Sequence, residues 1–265
     1  MLSMSALSWG ILVIGTAVIF GIGGMLLVRR SATLARLERH NEVAGFIYSV
    51  IGVVYAVLLA FIAIVVWQQH TEARARVQQE ANELGDLYRD AQPFPEEVRA
   101  RLQDEIRTYV RIVVEKEWPA MARGETSLEA WEAYNRLWLA YQQFQPRNEY
   151  ERVWYAESLA RLNQLGDYRR LRLLDNRSAL PGVVWVVLLG GGMITIGFSF
   201  FFGTENIWAQ ALMVAGLATA VALVLFLILA FDEPFSGIAA VKPTAFHQLE
   251  AIFDHWMRSA GGPGR

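Results

Sequence analysis

The chain has no cysteine. Disulfides, cysteine-ligated zinc, iron–sulfur clusters and a thiol nucleophile are thereby excluded, although the compartment is not. Histidine is scarce, with His40, His70, His247 and His255 scattered along the chain. His247 and His255 could share a helix face, but a solvated tail accounts for them better than a metal does. No G-x-S-x-G, H-E-x-x-H or phosphate-cradling glycine loop is present, so no enzyme class is indicated and no cofactor is expected. Strand signals are missing between 68 and 180, and no repeat of 20 to 50 residues is visible. A net charge of -2, with basic residues mixed among acidic ones, gives no case for nucleic acid as a partner.

Hydrophobic residues are abundant, at 54% of the chain, and the mean hydropathy is positive at +0.26. That is more apolar than an ordinary soluble domain. Uncharged segments near 6–28, 43–67, 182–202 and 207–231 are long enough as helices to cross a hydrocarbon core of ~30 Å. Trp9, Trp67, Trp185 and Trp208 stand near their ends, where amphipathic rings sit at headgroup level. "MLSMSALSWG" carries no Lys or Arg and no small-residue cleavage pattern follows, so the first segment reads as a retained helix.

The expected fold is an all-α integral membrane protein: four transmembrane helices with a large helical insert between the second and third. Residues 1–67 form a first hairpin, 68–180 a helical cytoplasmic domain, 181–231 a second hairpin and 232–265 a cytoplasmic tail. Val77, Ala81, Leu84, Tyr88 and Ala91 recur at spacings of three and four, which continues the second span as an amphipathic helix in water. "PFP" at 93–95 ends it, and a further helix through Val98, Leu102, Ile106, Tyr109, Val110 and Val113 is expected to stop near Trp118 and Pro119. Thr126 and Glu129 suggest a capping box for the next helix, and Pro181 a first-turn proline for the third span. Near the membrane, Arg74, Arg76, Arg169, Arg170, Arg172, Arg177 and Lys242 outnumber Arg29, Arg30, Arg36 and Arg39 of the first hairpin loop. The positive-inside rule then places the insert and both termini in the cytoplasm.

In "NEVAGFIYSVIGVVYA" the residues Gly45, Ser49, Gly52, Ala56, Ala60 and Ala63 fall on one narrow helical stripe, flanked by Tyr48 and Tyr55. Such a stripe either packs closely against another helix or leaves room for an ion. "FDEPFSG" sets Asp232 and Glu233 at the end of the last span, before Pro234, Phe235 and Gly237. A solvated helix end and an oxygen-rich cation site are both open there. "VEKEWPAMARG" reads as a structural corner, with Glu115 and Glu117 on different helix faces. "GGG" at 190–192 suggests close helix packing. "RRLRLL" at 169–174 suits topology determinants better than lipid-headgroup ligands.

Together, "NEVAGFIYSVIGVVYAVLLAF", "EANELGDLYRDA", "VEKEWPAMARG", "LPGVVWVVLLGGG" and "FDEPFSG" resemble the bacterial bestrophin-like membrane family, itself distantly similar to the bestrophin ion channels. The resemblance implies a pentamer in the bacterial inner membrane, with second-span helices around a single central pore for an inorganic ion of either sign. It implies pore-lining roles for Tyr48, Ser49, Gly52, Tyr55, Ala56 and Leu59: either the small residues themselves border the lumen, or they face neighbours while Tyr48, Tyr55 and Leu59 face the axis. Asn41 and Glu42 would stand at the pore mouth. The bestrophins' proline-phenylalanine-glycine turn resembles Pro234, Phe235 and Gly237, with Ser236 inserted. The acidic run of calcium-gated members is replaced by "IAAVKPTAF", so calcium gating is not implied. By layout alone, a partner-dependent subunit of the stator or energy-transducing type is the alternative.

Overall fold

The computed structural model describes residues 6–31 and 34–260, apart from the side chains of 34–36, 38–40 and 259–260. The side chains of Arg36, Arg39 and His40 thus lie outside the described residues. The described residues are helical without strands: α1 (Ala6–Ser31), α2 (Leu34–Asp90), α3 (Glu96–Ile112), a π-helical turn (Val113–Glu117), α4 (Trp118–Met121), α5 (Leu128–Gln142), α6 (Glu149–Asp175), α7 (Gly182–Phe198), a 3-10 turn (Ser199–Phe201), α8 (Ile207–Phe231) and α9 (Thr244–Ala260). Two compact units result. A membrane unit comprises Met1–Gln68, Ala179–Glu233 and Gly237–Ala239, and an insert unit comprises Gln69–Ser178, Pro234–Ser236 and Ala240–Arg265.

The membrane unit holds α1, the first part of α2, α7 and α8, which among the described residues are the four helices long and apolar enough to cross a membrane. Its core joins Met25, Tyr55, Leu59, Val66, Leu188, Ile196, Phe200, Val214, Ala218, Val221 and Ile228. Gly21 lets α1 approach α8, since a Cβ there would lie 3.1 Å from Val214 and 3.4 Å from Ala218. Polar groups inside this unit are satisfied locally, as an apolar medium demands. Thr195 donates to the Gly191 carbonyl at 2.8 Å and Ser199 to that of Ile196 at 2.5 Å. Asn206 caps α8 by accepting from the Trp208 and Ala209 amides. Pro181 is the residue just before α7 rather than its first helical residue.

In the insert unit the apolar periodicity of α2 is buried as expected, with Ala73, Val77, Ala81, Leu84, Leu87, Tyr88 and Ala91 all in the core. Three local expectations are corrected. The helix expected to stop near Trp118 instead widens into the π turn and resumes as α4, where Pro119 sits in the first turn and its missing N–H costs nothing. The cap of α5 is Ser127, not Thr126: its Oγ accepts from the Ala130 amide and donates to Glu129 at 2.8 Å. Residues 244–260 are not a loose tail but α9, whose Phe246, Leu249 and Phe253 are buried at spacings of three and four. Asn148 and Glu151 make a reciprocal cap for α6, which explains a buried glutamate at a helix start.

Candidate ion-conducting face and its supports

Within the membrane unit α2 presents three faces. Tyr55 and Leu59 point into the subunit's own core, 5% and 6% exposed. The Tyr55 hydroxyl donates to the Leu188 carbonyl at 2.7 Å. Its ring lies against α7, where a Cβ on Gly191 would come within 2.5 Å of it and one on Gly192 within 3.0 Å of the hydroxyl. This corrects the expectation that Tyr55 and Leu59 face a pore: their surfaces are spent inside one copy. Tyr48 is half-buried, stacked on Phe198 at 6.0 Å and edge-on to Phe202 at 5.4 Å.

The small-residue stripe lies roughly 90° round the helix from that core direction. Ser49 and Ala56 are exposed, and a Cβ on Gly52 would meet nothing within 4 Å. The middle of the stripe is therefore open, whereas at its ends a Cβ on Gly45 would lie 3.9 Å from Phe202 and Ala63 packs against the unit's core. Roughly 140° from the core direction runs a third face, Val43, Ile47, Val50, Val54, Val57, Phe61 and Ile64. All seven are exposed, and they follow one another at spacings of four and three.

Asn41 is less free than a mouth residue need be. Its Nδ2 donates to the Gly203 carbonyl at 2.9 Å and its Oδ1 accepts from the Gly203 amide at 3.1 Å, so it clasps the turn before α8. Arg29 holds the same turn, donating to the Thr204 and Glu205 carbonyls and, at 2.7 Å, to Gln210 Oε1. Glu42 beside Asn41 is exposed.

At the end of α8, Asp232 is buried. Its Oδ1 accepts from the Leu180 amide at 2.7 Å and its Oδ2 from the Trp185 indole at 3.1 Å. Both oxygens are committed to the start of α7, which corrects the candidate cation site: Asp232 is a staple between two spans, and Glu233 is left exposed beside it. Gly237 is required by close approach, because a Cβ there would lie 2.6 Å from the Glu233 carbonyl. In the insert unit, Phe235 is buried edge-on to Trp118 at 5.8 Å, and the Val241 amide donates to the Pro234 carbonyl at 2.8 Å. The indole of Trp118 donates in turn to the Val241 carbonyl.

Residues 8–246 match the model of the Bestrophin-like domain. The chain belongs to the bestrophin-like family. A crystal structure of a bacterial bestrophin homolog from Klebsiella pneumoniae is similar in fold, with a TM-score of 0.72 over 92% of this chain and 98% of that one at 11% identity. No curated protein matches the chain.

The bestrophin-like insert unit also contains a buried charge cluster that sequence reasoning missed. Arg172, on α6, donates through Nε and Nη2 to the two oxygens of Glu80 at 2.6 and 3.0 Å, and through Nη2 to Glu117 at 2.6 Å. Arg169 donates to the other Glu117 oxygen at 2.5 Å and stacks over Trp131 at 4.1 Å. Tyr109 donates to Glu80 at 2.8 Å. Burial alone would lower the Arg172 pKa, but the Glu80 and Glu117 carboxylates outweigh it and hold the guanidinium well above its ordinary value. Burial, then Glu80, push the Tyr109 phenol well above its own. The π turn supplies Glu117, so "VEKEWPAMARG" is a corner whose acid is aimed inward. Arg169 and Arg172 face this core, which corrects their reading as determinants beside the membrane. The missed signal was Glu80, a lone charge on the apolar stripe of Val77, Ala81 and Leu84.

Proposed function

We propose that copies of this protein assemble, as a pentamer by resemblance, into an ion channel of the bacterial inner membrane, with α2 lining the pore and the insert and both termini in the cytoplasm. The observation that carries the reading is the third face of α2, an exposed apolar series from Val43 to Ile64 turned away from its own core. A ring of such faces makes a narrow lumen that gates by wetting and dewetting. Ser49, Gly52 and Ala56, open in one copy, take the neighbouring copy at close range. Tyr48, Tyr55 and Leu59 brace α2 from behind. Family membership supports a channel over an enzyme.

The test is flux from liposomes holding the purified oligomer, with potassium and chloride gradients set separately. Wild type carries one or both ions, and Phe61→Ser, which wets an exposed position of the lining, raises the flux. Silence in both gradients from a stable oligomer would sink the channel reading. A co-purifying single-span chain would then favour the partner-dependent alternative.

A further inference from the structure

The cluster of Glu80, Glu117, Arg169 and Arg172 answers two acids with two guanidiniums. A second gathering of charge in the insert unit does not balance. Glu83, Asp86 and Asp90 of α2 converge with Glu157 of α6 on the single guanidinium of Arg161, at 3.6, 2.8, 2.9 and 3.1 Å respectively. Arg89 adds one more cation, on Asp86 at 2.6 Å, so two positive charges answer four negative ones. The deepest of the four acids is Asp90, only 3% exposed. Its Oδ2, like Oε2 of Glu83, reaches Arg161 as a charge alone, since neither oxygen makes a hydrogen bond to the described residues. From α5 the buried Tyr141 phenol is near enough to feel the Asp90 charge and offers none of its own.

We infer that Asp90 is a proton-binding group that sets how firmly the end of α2 is held to α6: in mild acid it takes a proton, the charge excess falls, and the junction tightens. A proton is the cation that fits. The central guanidinium repels a metal ion, and among the described residues no group of three or more acidic or histidine side chains is placed to hold one. Proton uptake forms one O–H bond on the Asp90 carboxylate and leaves Arg161 to Glu83, Asp86 and Glu157. Burial raises the Asp90 carboxyl above its ordinary 3.8 and outweighs Arg161 and Arg89, with Asp86 adding to the rise. Glu83 is raised by burial too. A folded-state value above the unfolded one means that folding takes up a proton in the window between them, so stability falls as pH rises through that window and returns as pH falls. Acid ordinarily loosens a fold by protonating paired carboxylates, and at this junction it does the reverse. Asp90 is the last residue of the helix whose first part forms the second span, yet the inference holds for the insert unit with or without a channel.

The test uses the full chain in detergent. Infrared difference spectra between neutral and mildly acidic pH show the carbonyl band of protonated carboxyls, formed in the wild type above the ordinary aspartate range, and Asp90→Asn loses part of it. Glu83 and Asp175, both raised by burial, supply the remainder. Asp104→Asn, whose carboxylate is exposed, leaves the band as it was. Asp86→Asn removes a neighbouring negative charge and moves part of the band to lower pH. In thermal melts Asp90→Asn, neutral at every pH, lies several degrees above the wild type at neutral pH, and the gap closes as the pH falls through the window. A merely structural Asp90 would give a gap that pH does not move. No band in the wild type above the ordinary range, a band undiminished in Asp90→Asn, or a gap independent of pH overturns the inference. Should Asp90→Asn not fold, Asp86→Asn decides alone, and a band that stays wholly at the wild-type pH overturns it as well. None of these readouts depends on flux, so this inference and the channel reading fail separately.

Discussion

Replacing Glu117 by glutamine tests whether the insert unit depends on its buried charges. The two carboxylates and two guanidiniums of the cluster sum to zero, and Glu80, Glu117, Arg169 and Arg172 are all at most 1% exposed. The Glu117→Gln side chain keeps the shape but leaves one positive charge uncompensated away from water. Arg169 also loses the carboxylate it meets at 2.5 Å, and its Nε and Nη1 make no hydrogen bond to the described residues. Breaking one partner out of a buried ion pair costs ~3–5 kcal/mol. For a unit of this size that corresponds to a fall in Tm of about 10 °C. The assay is thermal unfolding in detergent followed by near-UV circular dichroism, because Trp131 and Trp118 lie 4.1 and 5.3 Å from the two guanidinium carbons. Adding Arg169→Gln restores neutrality, so the double variant should be more stable than the sum of the two single losses by ~1 kcal/mol or more. A fall below about 2 °C for Glu117→Gln, comparable to a surface substitution, would refute the reasoning. Strict additivity in the double variant would do the same.

Two glycines should separate packing inside a copy from packing between copies: Gly191→Ala forces a methyl onto the Tyr55 ring and costs ~1–3 kcal/mol in thermal melts, whereas Gly52→Leu leaves the subunit's secondary structure intact and weakens the oligomer in size-exclusion chromatography. Asp232→Asn keeps one acceptor for two N–H donors, so ~1–3 kcal/mol should be lost and Trp185 fluorescence should shift on release of its indole. In alkali, the folded-state pKa of Tyr109 lies well above its ordinary value of 10.0, and that of Tyr141 is raised by burial. Their contribution to stability is full below the unfolded value and is lost as pH rises from there through the folded values. Spectrophotometric titration at 295 nm, a wavelength chosen for phenolate, should therefore show these tyrosines ionising only together with unfolding.

The spans, the amphipathic continuation of α2 and the helical insert were legible because each rests on a periodicity running over many residues. Features fixed by a single contact were not. The cap at Ser127 rather than Thr126 depends on which hydroxyl the chain turns toward the Ala130 amide, and both residue types are preferred caps in a sequence. α9 was hidden by the histidines and charges around Phe246, Leu249 and Phe253, although the spacing of those three was there to be read. Asp232 and Glu233 look alike in the sequence, and only the positions of Leu180 and Trp185 decide that the first is stapled inside. The tyrosines flanking the small stripe were assigned to an axis because a phenol suits a hydrated ion. The glycines at 190–192 suggested close helix packing on α7, and the Tyr55 side chain is what lies against two of them, Gly191 and Gly192.

The placement of polar groups also bears on where an ion can cross. Inside one copy's membrane unit, Tyr55 is spent on the Leu188 carbonyl, Thr195 and Ser199 on their own helix turn, Gln210 on Arg29 and the Phe202 carbonyl, and Asp232 on two N–H donors. An ion entering that interior would have to break these bonds in a medium where nothing replaces them. The membrane unit of a single copy, among the described residues, is thus built as an insulator. On the channel reading, the conducting path runs along a surface that one copy leaves open and several copies enclose, and the exposed series from Val43 to Ile64 of α2 is such a surface. The same reasoning says which variants discriminate. Tyr55→Phe removes the bond to Leu188 and should cost ~0.6–1.7 kcal/mol of stability with the permeability ratio unchanged, whereas Phe61→Ser should change flux with little effect on the melt. The opposite pattern, selectivity altered by Tyr55→Phe and untouched at Phe61, would put the path through the subunit.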